Sequence, residues 1–156
     1  MLRLVTALAL LGVVYAGFIN IGFRDCKSQF KVHEVTAEGC DLKETDGGKK
    51  MCTFKANSKP IIRIKFTPDQ EVSDFKTSIK AKIGETMIDF PLADSNACTA
   101  GLSCPLKPGQ EYTYEQGIDI ANNYPAHEKV QVNWVVDREG AAGKDVCIIF
   151  LAQIAE

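Results

Sequence analysis

Hydrophobic and polar residues alternate along much of the chain. Across residues 59–66 (KPIIRIKF), Ile62, Ile64 and Phe66 fall on one side and Arg63 and Lys65 on the other. Residues 78–83 repeat the pattern, with Ile79, Ala81 and Ile83 against Lys80 and Lys82, and Gly84-Glu85 provides a turn into 86–90. Residues 129–136 set Val130, Val132, Trp134 and Val136 against Lys129, Gln131 and Asn133, and 146–154 is almost wholly apolar. A period of two in β-branched and aromatic residues predicts half-buried antiparallel strands. Weaker strands are expected at 30–35, 51–55 and 110–120. Turns are expected at Asp46-Gly47-Gly48, Thr67-Pro68-Asp69, Lys107-Pro108-Gly109 and residues 140–143. No stretch beyond residue 16 sustains a 3.6-residue period. Roughly seven or eight short strands with regular turns predict an all-β, immunoglobulin-like two-sheet sandwich. The Cys–Trp–Cys order of antibody domains is absent, because Trp134 lies between Cys104 and Cys147.

The first residues change the picture by assigning a compartment. Arg3 precedes a run over 4–14 that is apolar apart from Thr6 and Gly12, and Val14 and Ala16 take the −3 and −1 places of a small-residue cleavage site. About 11 apolar residues cannot cross ~30 Å of hydrocarbon, so residues 1–16 are expected to be a secretory signal peptide and 17–156 a single lumenal or extracellular domain. In such a compartment disulfides persist. The six cysteines are Cys26, Cys40, Cys52, Cys98, Cys104 and Cys147. Cys40 stands near Cys52 and Cys98 near Cys104, which leaves Cys26 and Cys147 at opposite ends, but 15 pairings remain open on spacing alone.

Charge and motifs then exclude function classes. With 18 basic and 20 acidic residues there is no basic excess of the kind nucleic-acid binding requires. Two histidines and no C-x-x-C give no metal-ligand set, and no cofactor is expected. No G-x-S-x-G, H-E-x-x-H or Walker loop is present, so no enzyme activity is expected. The Gly140-Ala-Ala-Gly-Lys144 stretch reads as a hairpin loop, and His33 and His127 as surface residues. What stands out is apolar: Phe90-Pro91-Leu92 after one strand, Tyr112 and Tyr114 in another, then Ile118, Ile120 and Tyr124-Pro125. Each fits a sandwich core; together they also fit a cavity between splayed sheets, holding an apolar ligand with few polar contacts.

The order Phe23-x-Asp25-Cys26, Val35-x4-Cys40, Cys52, Cys98-x5-Cys104-Pro105-Leu106, Tyr112-x-Tyr114, Tyr124-Pro125, Trp134 and Cys147 resembles the lipid-recognition (ML) domain family, in particular its soluble Niemann-Pick type C sterol-transfer and mite group 2 allergen branches. The resemblance spans 17–156. It implies an immunoglobulin-like sandwich with a lipid cavity between its sheets, and the pairing Cys26–Cys147, Cys40–Cys52 and Cys98–Cys104. It also implies pocket residues. Phe90, eight before Cys98, matches the family's pocket-mouth aromatic; Ile120, sixteen after Cys104, and Tyr124-Pro125 match two further positions. Phe66, Tyr114 and Trp134 are expected to join Phe90, Ile120, Tyr124 and Pro125 at the lipid site. Asp89 and a longer Cys40–Cys52 loop with Glu44, Asp46, Lys49 and Lys50 depart from the sterol-transfer pattern, leaving sterols, fatty acids and related lipids all open.

The function implied is a secreted or endosomal–lysosomal monomer that binds and transfers a sterol or similar lipid to a membrane or acceptor protein. The alternative implied is an innate-immune protein that recognises microbial lipid.

Overall fold

The computed structural model describes residues 17–156, so the expected signal peptide lies outside the described residues. The alternating stretches fold as strands: β1 (Ile19–Asn20), β2 (Arg24–Asp25), β3 (Lys31–Glu38), β4 (Asp41–Glu44), β5 (Lys50–Lys55), β6 (Ile61–Thr67), β7 (Lys76–Ile83), β8 (Thr86–Phe90), β9 (Tyr112–Gly117), β10 (Val130–Asp137) and β11 (Val146–Ala155). One helical turn, α1 (Ala97–Ala100), joins β8 to β9. β1, β3, β6 and β9 form one sheet, in that order. The second runs β4-β5-β11-β10-β7-β8, with β2 also pairing β11. The expected two-sheet, all-β sandwich is what forms, and α1 is a small addition. Strands β1, β2 and β4 and α1 were not expected, because two to four residues are too few to show a period.

Strand β11 organises the larger sheet. It pairs antiparallel with β10 along one edge; along the other it pairs with β2 at Ile148 and Ile149 and parallel with β5 from Leu151 to Ala155. Phe150 therefore sits where one neighbour has ended and the next has not begun.

The two ends of the sandwich are filled differently. At one end the rings of Phe30, Phe66 and Phe75 pack with centroids 5.8–6.3 Å apart, and Tyr112 extends the cluster at 6.3 Å from Phe66. Such ring clusters supply much of the apolar burial of a small domain. Buried Asp145 caps this end, accepting two hydrogen bonds from the Arg138 guanidinium at 2.8 and 2.9 Å. Trp134, fully buried, lies midway along β10 between Ile79 and Ile148 in register.

Three disulfides fasten the frame: Cys26–Cys147, Cys40–Cys52 and Cys98–Cys104, spanning 121, 12 and 6 residues. The longest lies within the seven-stranded sheet, locking the chain just after β2 onto β11. Cys40–Cys52 fastens the corner where the chain leaves β3 for the other sheet. Cys98–Cys104 closes the crossover carrying α1. That crossover hugs β9: a Cβ on Gly101 would run into the Glu115 carbonyl oxygen, so no larger residue fits there.

A polar tie spans the sheets beside the core. The Tyr114 hydroxyl on β9 shares a 2.6 Å hydrogen bond with Thr77 Oγ1 on β7 and donates to Gln116 Oε1 at 2.9 Å. Burial outweighs the Thr77 bond and pushes the Tyr114 phenol up from its ordinary 10 to about 12. The unfolded chain would release this proton near pH 10 and the folded chain near 12. Folding stability should therefore fall as pH rises from about 10 towards 12, by up to roughly 3 kcal/mol from this group. Tyr114→Phe should remove that part of the alkaline slope and cost about 1 kcal/mol at neutral pH. Urea titrations of both proteins from pH 8 to 12 measure the difference.

Candidate functional site

At the end opposite the ring cluster the inward-facing residues are mostly small or aliphatic, and they leave a cavity of about 280 Å³. Strand periodicity explains which side chains meet there. From the larger sheet come Ile79, Ala81 and Ile83 of β7, Val130 and Val132 of β10, and Phe150, Ala152 and Ile154 of β11. Each set is spaced by two residues and so faces one side. Phe54 of β5 adds a wall, and Ile118 and Ile120 line the opposite side, just beyond β9.

The segment after β9 is pinned before it reaches the mouth. Ile118 N–H donates to the Pro60 carbonyl at 3.0 Å, Ile120 N–H to Ser58 at 3.0 Å, and Asn57 N–H to Ile120 at 2.8 Å. Beyond the mouth, His127 N–H donates to the Ile154 carbonyl at 2.8 Å. Between these anchors lie Asn123, Tyr124 and Pro125. The Tyr124 ring stacks on Phe90 of β8 with centroids 5.4 Å apart and 26° between planes, and this pair closes over the mouth. Ile88 stands at the rim, 46% exposed, beside an equally exposed Met87.

Of the polar residues at the lining, Asn123 and Tyr124 can offer side chains to it, whereas register turns the Asp89 and Gln153 side chains to the outer face. Asp89 pairs with Lys80 at 3.3 Å on the outside, and Gln153 Nε2 donates to Thr53 Oγ1 at 3.2 Å. No lysine, arginine or histidine lines the cavity. A surface of this kind can hold apolar matter through burial and shape, with a few hydrogen bonds at its edge. All six cysteines are paired, and among the described residues no cluster of His, Cys, Asp or Glu could hold a metal ion.

The structure brings Phe90, Ile120, Tyr124 and Pro125 together at this cavity. It does not bring Phe66, Tyr114 or Trp134 there. Phe66 belongs to the ring cluster, Tyr114 to the Thr77 tie, and Trp134 to the filled middle of the sandwich. All three do face inward, as expected, but alternation fixes the face of a strand and not the depth along it. The residues missed by sequence reasoning, among them Phe54, Ala81, Val132 and Ala152, are ordinary core-pattern positions; nothing local marks them as facing empty space. His33 bonds Thr67 Oγ1 at 2.8 Å, and neither it nor His127 lines the cavity. Residues 140–143 form the β10–β11 hairpin loop.

A family model described as the ML domain matches residues 20–154. A Caenorhabditis elegans protein, the putative protein heh-1, is 49% identical over 156 residues, which is 99% of this chain and 100% of that one. The Drosophila melanogaster NPC intracellular cholesterol transporter 2 homolog a is 32% identical over 145 residues, 91% of each chain. Among solved structures, a Niemann-Pick type C2 protein from the Japanese carpenter ant superposes with a TM-score of 0.73 at 25% identity, over 86% of this chain and 99% of that one.

If the space beside Ala152 is a true void, adding volume there should do little harm to folding. Ala152→Leu is expected to keep the melting temperature within about 4 °C of wild type, whereas overpacking a filled core costs about 1–3 kcal/mol. The same variant should take up less of any cavity ligand. Thermal melts and ligand titration check both; a fall of more than about 8 °C would mean the site is already full.

Proposed function

The chain belongs to the ML domain family, and on that premise we propose that it is a non-catalytic carrier that holds a neutral hydrophobic molecule, a sterol or similar lipid, between its two sheets. The observation carrying this reading is the apolar cavity whose mouth is covered by the Phe90–Tyr124 pair. Phe90, Ile120, Tyr124 and Pro125 are the proposed contacts at the mouth, with the aliphatic residues of β7, β10 and β11 around the buried part of the ligand.

The chemistry of the lining argues for a neutral head group. A fatty-acid carboxylate would find no cation in the lining. A hydroxyl could instead bond Asn123 or the Tyr124 hydroxyl at the rim. Size points to a slim ligand or a mouth that widens: about 280 Å³ lies at the small end of ligand pockets, which run from roughly 300 to 1,000 Å³. Burying roughly 400 Å² of ligand surface would yield about 10 kcal/mol before association costs, enough for submicromolar binding.

Loading and release would require Tyr124 and Phe90 to part, next to a membrane or an acceptor protein. Three disulfides suit an oxidising compartment, extracellular or within the endosomal–lysosomal lumen. Among the described residues, no helix is long and apolar enough to cross a membrane.

Phe90→Ala and Tyr124→Ala should each weaken binding of a fluorescent sterol by about tenfold, while the half-buried positions keep the loss of folding stability below about 2 kcal/mol. Unchanged sterol affinity in both aromatic variants would sink the assignment of the mouth, and no measurable uptake of any lipid by the wild type would sink the carrier reading.

A further inference from the structure

A groove of about 480 Å³ runs over the outer face of the seven-stranded sheet. Its floor is Ile149 and Leu151, the outward residues of β11, and Phe23 of the β1–β2 segment forms an apolar wall. Arg24, Lys49 and Lys50 stand on its rim. The groove opens where β11 has lost β2 and not yet gained β5, at Phe150, and Phe150 lines both this groove and the inner cavity.

The charges on this face are distributed unevenly. The outward lysines of β7 are each matched by an acid: Lys76 with Glu139 at 3.9 Å, Lys80 with Asp89 at 3.3 Å and Lys82 with Glu85 at 3.9 Å. Among the described residues, Arg24, Lys49 and Lys50 have no carboxylate within ion-pair distance, although Glu44 is paired in register with Lys50 across β4 and β5. In a chain of net charge −2 this is a local excess of cation. Two of the three are held in place. Lys49 is fixed at its backbone, which accepts from Thr45 N–H at 2.8 Å and donates to Thr45 Oγ1 at 3.2 Å. The Lys50 stem lies against Gly22, whose left-handed backbone at φ +68° lets the segment turn there; a Cβ on Gly22 would stand 3.4 Å from Lys50 Cδ.

We propose that this groove is a second lipid site, taking a single-chain amphiphile whose anionic head lies among Arg24, Lys49 and Lys50 and whose chain lies along Ile149, Leu151 and Phe23. Its head-group preference differs from that of the inner cavity, whose lining holds no cation. The apolar floor favours an amphiphile over an acidic peptide, which would leave Ile149 and Leu151 uncovered.

The full described chain can be titrated with dodecyl phosphate below its micelle concentration, read by amide chemical shifts. Saturable shifts are expected at Gly22 and Leu151. They should weaken about tenfold in Lys49→Glu/Lys50→Glu, as loss and reversal of charge-assisted contacts require, and weaken as salt is raised. Dodecanol should instead shift Ile120 and Val132. Unaltered uptake of a fluorescent sterol by the double variant shows that it is folded and keeps the inner cavity out of the result; if that variant does not fold, Arg24→Gln gives the same comparison with a smaller loss. The proposal is overturned if dodecyl phosphate shifts only cavity residues, if the charge variants bind it as wild type does, or if inorganic phosphate or a hexaglutamate peptide matches its affinity at the groove.

Discussion

Interlocked rings fill one half of the space between the two sheets and leave the other half open, and most of the molecule follows from that division. Phe30, Phe66, Phe75 and Tyr112 interlock at one end, with Trp134 behind them. Interiors normally pack to crystal density, and a void forfeits the contacts its lining would have made. The empty end is therefore a cost that the filled end must offset. The rings supply burial, while the fasteners act on geometry. Tyr114 and Thr77 bond across the sheets, and Cys40–Cys52 holds a corner where the chain changes sheet.

The long Cys26–Cys147 bond has a different duty from the one its span suggests. It joins β2 to β11 inside one sheet, so it keeps that sheet's middle strand paired at both ends of its edge without spanning the gap between sheets. In the chain-entropy picture a loop of 121 residues is still worth about 4–5 kcal/mol against the unfolded chain. Stability and hollowness are thus served by separate disulfides.

Much of this was legible in the residues. The alternating stretches that became β6, β7 and β10 announced the sandwich, because period two survives any tertiary context that buries one face. Phe90, Ile120, Tyr124 and Pro125, singled out by their distances from cysteines, do line the cavity. Phe66, Tyr114 and Trp134 were misplaced for one reason: a side chain's face is a local property, whereas its depth between the sheets depends on register with strands far away in sequence. Strand β9 shows it best, since Tyr112, Tyr114 and Gln116 share a face with Ile118 yet pass in six residues from ring cluster to cavity wall. The cations of the groove were visible as residues but not as a site, because Arg24 joins Lys49 and Lys50 only once β2 lies on β11.

The mouth segment is attached in an economical way. Between the bonds at Ile120 and the bond at His127, no backbone hydrogen bond ties residues 121–126 to either sheet among the described residues. Substitutions there alter what the opening admits without touching a ladder, a disulfide or the ring cluster. On the proposed carrier reading, a change of cargo would need only a few such positions, Tyr124 among them, while the rest of the frame stays as it is.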